Sequence, residues 1–164
     1  MSEHHESAKL TFAIVTASDT RSIAEDTAGA ALEELIAKEG WECKRRVVVK
    51  DERADIAAAI VSACEELTPD VVLTCGGSGL SLRDVTPEAT MDVCDRVVPG
   101  VAEFMRAYSC TKTPFAALSR AICAQRGRVL VVNLPGSRKA AVENWEAFVQ
   151  VAAHAVKMMA GGGH

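Results

Sequence analysis

The sequence predicts an α/β fold: a mainly parallel sheet with helices on both faces. Three observations predict it. Short apolar runs alternate with stretches of helical periodicity, the pattern of successive βαβ units. The runs at 10–17, 71–74 and 128–132 are nearly free of charge, as strands covered on both faces must be. Aromatics make up only 4% of a chain that is 49% hydrophobic. The core therefore rests on Val, Leu, Ile and Ala, which pack closely between layers.

The elements follow in order. Residues 10–17 are apolar and β-prone and end in Ser18-Asp19-Thr20-Arg21, so they form a buried first strand leading into a polar loop. Asp26-Thr27 supplies an N-cap, and Ala28, Ala31, Leu32, Leu35 and Ile36 share one helical face until Gly40 stops the helix. Residues 45–49 form the second strand, closed by the charged run Lys50-Asp51-Glu52-Arg53. A helix over 55–67 turns Ile56, Ala59, Ile60, Ala63 and Leu67 inward and ends at Pro69. The third strand, 71–74, runs into a glycine loop. Pro87 suits a helix start, because its missing N–H costs nothing there. Pro99-Gly100 separates that short helix from another at 101–108. A strand at 128–132 precedes Asn133-Leu134-Pro135-Gly136-Ser137. The last helix spans 137–159, with Trp145, Phe148, Val149, Ala152, Val156 and Met159 on its apolar side.

At 164 residues the chain has the size of one domain. No linker, repeat or low-complexity segment divides it, so 1–164 is expected to be a single domain with an ordered core at about 8–158. A net charge of −4 gives no basic field for nucleic acid or an anionic membrane. The scarcity of aromatics argues against binding by base stacking. No apolar run approaches the roughly 20 residues that span a bilayer. The polar start, Met1-Ser2-Glu3-His4-His5-Glu6, is unlike a signal peptide, and its His pair reads as tail. The glycines near the end, 161–163, read as a frayed terminus. None of the six cysteines forms a Cys-x-x-Cys pair. They are expected to be buried free thiols in a reducing compartment, the cytoplasm.

Ligands of open α/β sheets bind at the carboxyl ends of the strands. Four polar loops take those positions: 16–26, 50–55, 75–86 and 133–139. Gly76-Gly77-Ser78-Gly79 lets backbone approach a ligand closely and aim N–H groups at an anion. It is no Walker loop, since no Gly-Lys-Ser/Thr follows, and its spacing is not that of a dinucleotide fingerprint. Alone it is equally a tight turn. Arg83 and Asp84 put both signs of charge at the same mouth, or form a surface ion pair. Asp19, Asp51 and Asp84 each follow a separate strand. Two or three carboxylates so gathered suit Mg²⁺, which prefers oxygen ligands and shares them with phosphates. Singly, Asp51 reads as a solvated charge and Asp19 as a turn residue. Ser137 opens a helix whose N-terminus favours an anion, and Lys139 in its first turn opposes the dipole unless it serves a ligand or lies exposed. Cys75 reads as a strand-end core residue and His154 as remote from the loops.

Taken together, Thr74-Cys-Gly-Gly-Ser-Gly-x-x-x-Arg-Asp-x-Thr-Pro-Glu88 resembles the long signature of the MogA/MoaB family of molybdenum cofactor biosynthesis. Asn133-Leu-Pro-Gly-Ser137 followed by Lys139 resembles its second signature. Thr16-Ala-Ser-Asp-Thr-Arg21 is similar to its first-strand Ser-Asp loop, and Val49-Lys-Asp51 to its Pro-Asp loop. The resemblance covers about residues 8–158. It implies a three-layer α/β/α sandwich, assembled as a trimer or hexamer. It implies a molybdopterin adenylyltransferase that uses Mg-ATP to attach AMP to the terminal phosphate of molybdopterin and releases pyrophosphate. The product then passes to a molybdate-inserting enzyme. By matching position, Asp51 and Asp84 are the essential carboxylates, with Mg²⁺ between them. Ser18, Asp19, Gly76, Gly77, Ser78, Gly79, Arg83, Asn133, Pro135, Gly136, Ser137 and Lys139 are the expected nucleotide and pterin phosphate contacts. Three positions depart from the pattern. Ser78 replaces Thr and keeps the hydroxyl, Lys50 replaces Pro before Asp51, and Arg138 replaces the second Pro. A MoaB-type protein that binds molybdopterin without turnover shares these loops, and a structural assembly subunit is a third reading.

Overall fold

In the computed structural model, which describes residues 8–162, one six-stranded sheet carries all the strands. They are β1 (Thr11–Ala17), β2 (Glu42–Val49), β3 (Val71–Cys75), β4 (Arg96–Val97), β5 (Cys123–Arg126) and β6 (Val129–Leu134). Their order across the sheet is β2-β1-β3-β6-β5-β4. The first four in that order run parallel, and β5 and β4 complete the edge antiparallel. Five α-helices cover the faces: α1 (Thr27–Lys38), α2 (Arg53–Ser62), α3 (Thr86–Val93), α4 (Pro99–Cys110) and α5 (Arg138–Met159).

The alternation of a strand's side chains divides the core into two layers. On β1, Phe12 and Ile14 pack with Ala28, Leu32 and Ile36 of α1 and with Trp145 and Phe148 of α5. Ala13 and Val15 face the other way, onto Ile56 and Ile60 of α2 and Ala89 of α3. Phe12, Trp41 and Trp145 stack or meet edge to face, with centroids 5.6–6.2 Å apart. Three layers of α/β/α type result, as the sequence resemblance implied.

The path of the chain positions the site. From β1 it moves outward to β2, then returns to β3 on the other side of β1. That reversal opens a crevice at the carboxyl ends of β1 and β3, where an open α/β sheet binds its ligand.

Several sequence expectations are corrected. β4 and β5 were not expected. Arg96–Val97 is two residues long and Cys-Ala-Gln-Arg carries no alternation, so neither leaves a periodic signal. β2 starts at Glu42, before the expected 45, because its first residues pair with β1 as an exposed edge. The second helix begins at Arg53 and its last turn, Ala63–Leu67, widens to a π-turn. It ends with Thr68 at φ 43°. Pro99 and Gly100 do not separate helices but open α4, with Pro99 in its first turn. Gly161 is not frayed. At φ 88° it closes α5, its N–H donating to Met158 O and that of Gly162 to Lys157 O. His4 and His5 lie outside the described residues.

Candidate functional site

The turn after β3 is held open by geometry that only glycine permits. Gly76 and Gly77 have φ of 91° and 69°, a region that costs a side chain about 1–2 kcal/mol. A Cβ on Gly76 would lie 2.7 Å from the carbonyl oxygen of Ala17, at the end of β1. One on Gly77 would lie 2.2 Å from the Thr86 hydroxyl. One on Gly136 would meet the Cα of Gly76 at 3.1 Å. The two glycine turns, from β3 and β6, therefore pack backbone to backbone. Arg21 locks the second turn from the β1 side, donating from Nη1 to Gly136 O at 3.0 Å.

Asp84 belongs to the first turn. Its Oδ2 accepts the Ser81 N–H at 3.1 Å, and Gly79 leaves it room, since a Cβ there would be 2.9 Å away. Asp51 is set by the β1 loop. The Asp19 N–H donates to Asp51 Oδ2, and the Asp51 N–H donates to Asp19 Oδ1, both at 3.0 Å. Burial, and the negative charges of Asp19 and Asp84, raise the Asp51 carboxyl above the ordinary aspartate range. The Asp51 N–H and the Arg83 guanidinium hold the Asp19 carboxyl below it.

Between the turns lies an open cavity of about 650 Å³. Gly76–Gly79 and Asp84 form one side, and Pro135, Gly136 and Ser137 another. Ser109 and Asn144 of α4 and α5, with Phe115 and Leu118, close the far end. Ser137 caps α5 by accepting the Ala140 N–H at 3.3 Å, so the helix N-terminus opens toward this space.

The expected site residues separate into two groups. Gly76, Gly77, Ser78, Gly79, Asp84, Pro135, Gly136 and Ser137 line the cavity. Ser18 and Asp19 border a neighbouring pocket beside β2, and Asp51, which exchanges hydrogen bonds with Asp19, lines neither of the two. Ser18 Oγ is taken up by its own loop, accepting the N–H of Thr20 and of Arg21. Lys139 is exposed in the first turn of α5. Two residues are not poised for a ligand. Arg83 binds both carboxylate oxygens of Asp19 at 2.9–3.2 Å and Glu52 at 3.0 Å. This also removes Asp19 from the set of free carboxylates. Asn133 is not a loop residue but part of β6, fully buried. Its Nδ2 donates to the hydroxyls of Thr74 and Thr90, both at 3.0 Å, and its Oδ1 accepts the Ile122 N–H. It ties strands to helix α3 beneath the cavity.

Among the described residues no group of three or more His, Cys, Asp or Glu converges on a metal position. The charge of Asp84 nonetheless bears on Asp51. Their mutual repulsion is what a cation relieves, and Mg²⁺ takes its remaining oxygens from phosphates and water. Cys75 is a core residue as expected: burial pushes its thiol up to about 12, and that of Cys123 likewise. All six cysteines are free, and His154 is exposed on α5. Arg120 went unnoticed in the sequence, and Thr86 stood in the long signature without an assigned role. Glu88, as the last residue of the signature, is the partner of Arg120, but nothing in the spacing says which cation it meets.

Two packed glycine turns and a helix N-terminus border one cavity at the switch point of a mainly parallel sheet, the position at which α/β proteins of this class take anionic ligands. The family follows from comparison: residues 13–154 match the family described as "Probable molybdopterin binding domain". The chain belongs to this molybdenum cofactor biosynthesis family. It is 36% identical over 153 residues to the molybdopterin adenylyltransferase of Helicobacter pylori strain J99, covering 90% of this chain and 86% of that one. It is 39% identical over 126 residues to molybdenum cofactor biosynthesis protein B of Bacillus cereus, covering 76% and 75%. A crystal structure of a molybdenum cofactor biosynthesis protein B superposes with a TM-score of 0.89 at 32% identity, over 94% of this chain and 98% of the other.

Proposed function

We propose that this protein is a molybdopterin adenylyltransferase acting in molybdenum cofactor biosynthesis. A terminal phosphate oxygen of molybdopterin attacks the α-phosphorus of ATP. A new P–O bond forms, the bond to the bridging oxygen breaks, and the electron pair leaves with pyrophosphate. The observation that carries this reading is the packing of one glycine turn on the other at Gly76 and Gly136. It brings the two glycine turns side by side on one cavity, and in-line transfer between two polyanions requires two such phosphate-binding turns close together. Asp51 and Asp84 would hold Mg²⁺, which when bound neutralises charge on the nucleotide phosphates. The residues of the chain do the rest: the turns position the phosphates, and Asp19 and Arg83 keep Asp51 in place. The cavity end near Ser109, Asn144 and Phe115 has the mixed lining that suits a heterocycle.

The test is pyrophosphate release from ATP in the presence of molybdopterin and Mg²⁺. The wild type is expected to turn over, and Asp84→Asn to bind both substrates while losing activity. A folded wild type that shows no turnover would overturn the reading. The likeness to the B. cereus protein B favours one alternative, a molybdopterin carrier of the MoaB type, which would bind the pterin tightly and leave ATP intact. Assembly into trimers or hexamers, delivery to a molybdate-inserting enzyme and a cytoplasmic location complete the proposal. The free thiols support the last of these.

A further inference from the structure

We propose that Arg120 is a positioning residue for this site, joining the two walls of the cavity and fixing where Asp84 stands. The inference rests on the adenylyltransferase reading above and adds to it a residue outside both glycine signatures. Arg120 lies two residues after the turn Pro114–Leu118, whose Phe115, Ala116 and Leu118 form one wall. From there it reaches the glycine turn three times and helix α3 once. Its backbone N–H donates to Ser78 O at 2.8 Å. Its Nε donates to Gly79 O at 2.7 Å and its Nη2 to Asp84 O at 2.8 Å. Its Nη1 is bonded to Glu88 Oε1 at the start of α3.

These contacts define what the residue does. A planar guanidinium with donors on three nitrogens satisfies three acceptors at fixed angles, which an ammonium on a flexible stem does not. The acceptors are the carbonyls of Gly79 and of Asp84 itself and the carboxylate in the first turn of α3. The other end of the loop, at Gly76 and Gly77, is pinned by close packing. From Ser78 onward the loop is exposed at Leu80, Ser81 and Leu82, and Arg120 supplies the restraint that packing does not. Arg120 is not among the cavity-lining residues, so it acts through the turn and not on a substrate. Glu88, the last residue of the long signature, orients the guanidinium.

The test compares Arg120→Lys, Arg120→Ala and Glu88→Gln with the wild type, measuring kcat and KM for ATP and for molybdopterin together with thermal midpoints. A displacement of about 1 Å costs roughly 100-fold in rate, so kcat of Arg120→Ala is expected to fall by about that factor, with KM changing far less. Guanidinium at low millimolar concentration is expected to restore part of that loss, and Arg120→Lys to fall short of the wild type. Glu88→Gln in the Arg120→Ala background is expected to add little, since the two act as a unit. An unchanged kcat in folded Arg120→Lys and Glu88→Gln would overturn the inference. So would a loss that tracks the thermal midpoint alone and is not rescued by guanidinium. If the wild type itself does not release pyrophosphate, the failure lies with the functional reading and not with Arg120.

Discussion

Gly77 offers the sharpest test of how the site is built. Replacing it with alanine does two separable things. It forces a residue with a Cβ to φ 69°, which costs about 1–2 kcal/mol. It also drives the new methyl to 2.2 Å from Thr86 Oγ1 and 3.2 Å from Thr86 Cβ, and overpacking of this kind costs about 1–3 kcal/mol. Gly77→Ala should therefore lose about 2–5 kcal/mol of folding free energy. The Thr86 hydroxyl is buried and makes no hydrogen bond, so Thr86→Ala removes the obstacle and breaks no such bond. Its own loss should be near 1 kcal/mol for the buried methyl. The double variant then separates the two contributions. If the clash is real, the pair is non-additive by at least about 1 kcal/mol, the double being more stable than the sum predicts. Urea denaturation with an unchanged m-value is the assay. Additivity within about 0.3 kcal/mol would refute the clash and leave backbone strain as the whole effect.

Other outcomes follow from the same geometry. The raised Asp51 carboxyl means that its ionised form opposes folding. The penalty is absent below the unfolded aspartate value and grows as pH rises through the folded one. Asp51→Asn, which can still accept the Asp19 N–H, should thus melt higher than the wild type near pH 7 and lose that advantage as pH falls to about 3.5. An equal or lower midpoint at neutral pH would contradict it. The same carboxyl makes activity fall on the acid side earlier than an ordinary aspartate would, read from the pH profile of kcat/KM. Asn133→Ala deprives the buried Thr74 hydroxyl and the part-buried Ile122 N–H of their partner, while the Thr90 hydroxyl keeps its bond to Thr86 O. It should cost about 2–4 kcal/mol, measured by denaturation, and a loss below 1 kcal/mol would show that water replaces the amide.

What the sequence made legible was periodic or punctuated. β1, β3, β6 and the inward faces of α1 and α5 came from unbroken apolar runs and helical spacing. The glycine loop came from its composition and its place after a strand. What escaped had no period to show. β5 is Cys-Ala-Gln-Arg and β4 is two residues. Both exist because backbone pairing at an open edge suffices to make a strand. Asn133 was read as a loop residue because Asn beside Leu-Pro-Gly suggests a turn. In the fold the turn begins two residues later, and the amide is consumed inside. Arg120 is separated from its partners by more than thirty residues, and only folding reveals which carboxylate an arginine will meet.

Many residues of the long signature at 74–88 are engaged with other parts of the chain. Thr74 is held by Asn133, Gly76 gives way to the carbonyl of Ala17, and Gly77 gives way to Thr86. Arg83 neutralises Asp19 and Glu52, and Glu88 grips Arg120. The stretch from Gly76 to Leu80, with Asp84, faces the cavity. Most of the remaining positions serve to keep that stretch still. A cradle of backbone donors gains its strength from not having to reorganise when charge arrives, and a loop rich in glycine has no stiffness of its own. The stiffness has to come from neighbours: a strand end on one side, a threonine beneath, a guanidinium across the mouth. On this argument Ser78 in place of threonine is a mild departure, because its carbonyl still accepts the Arg120 N–H. Lys50 in place of proline is milder still, since Asp19 and Asp51 already hold each other's backbone from both sides.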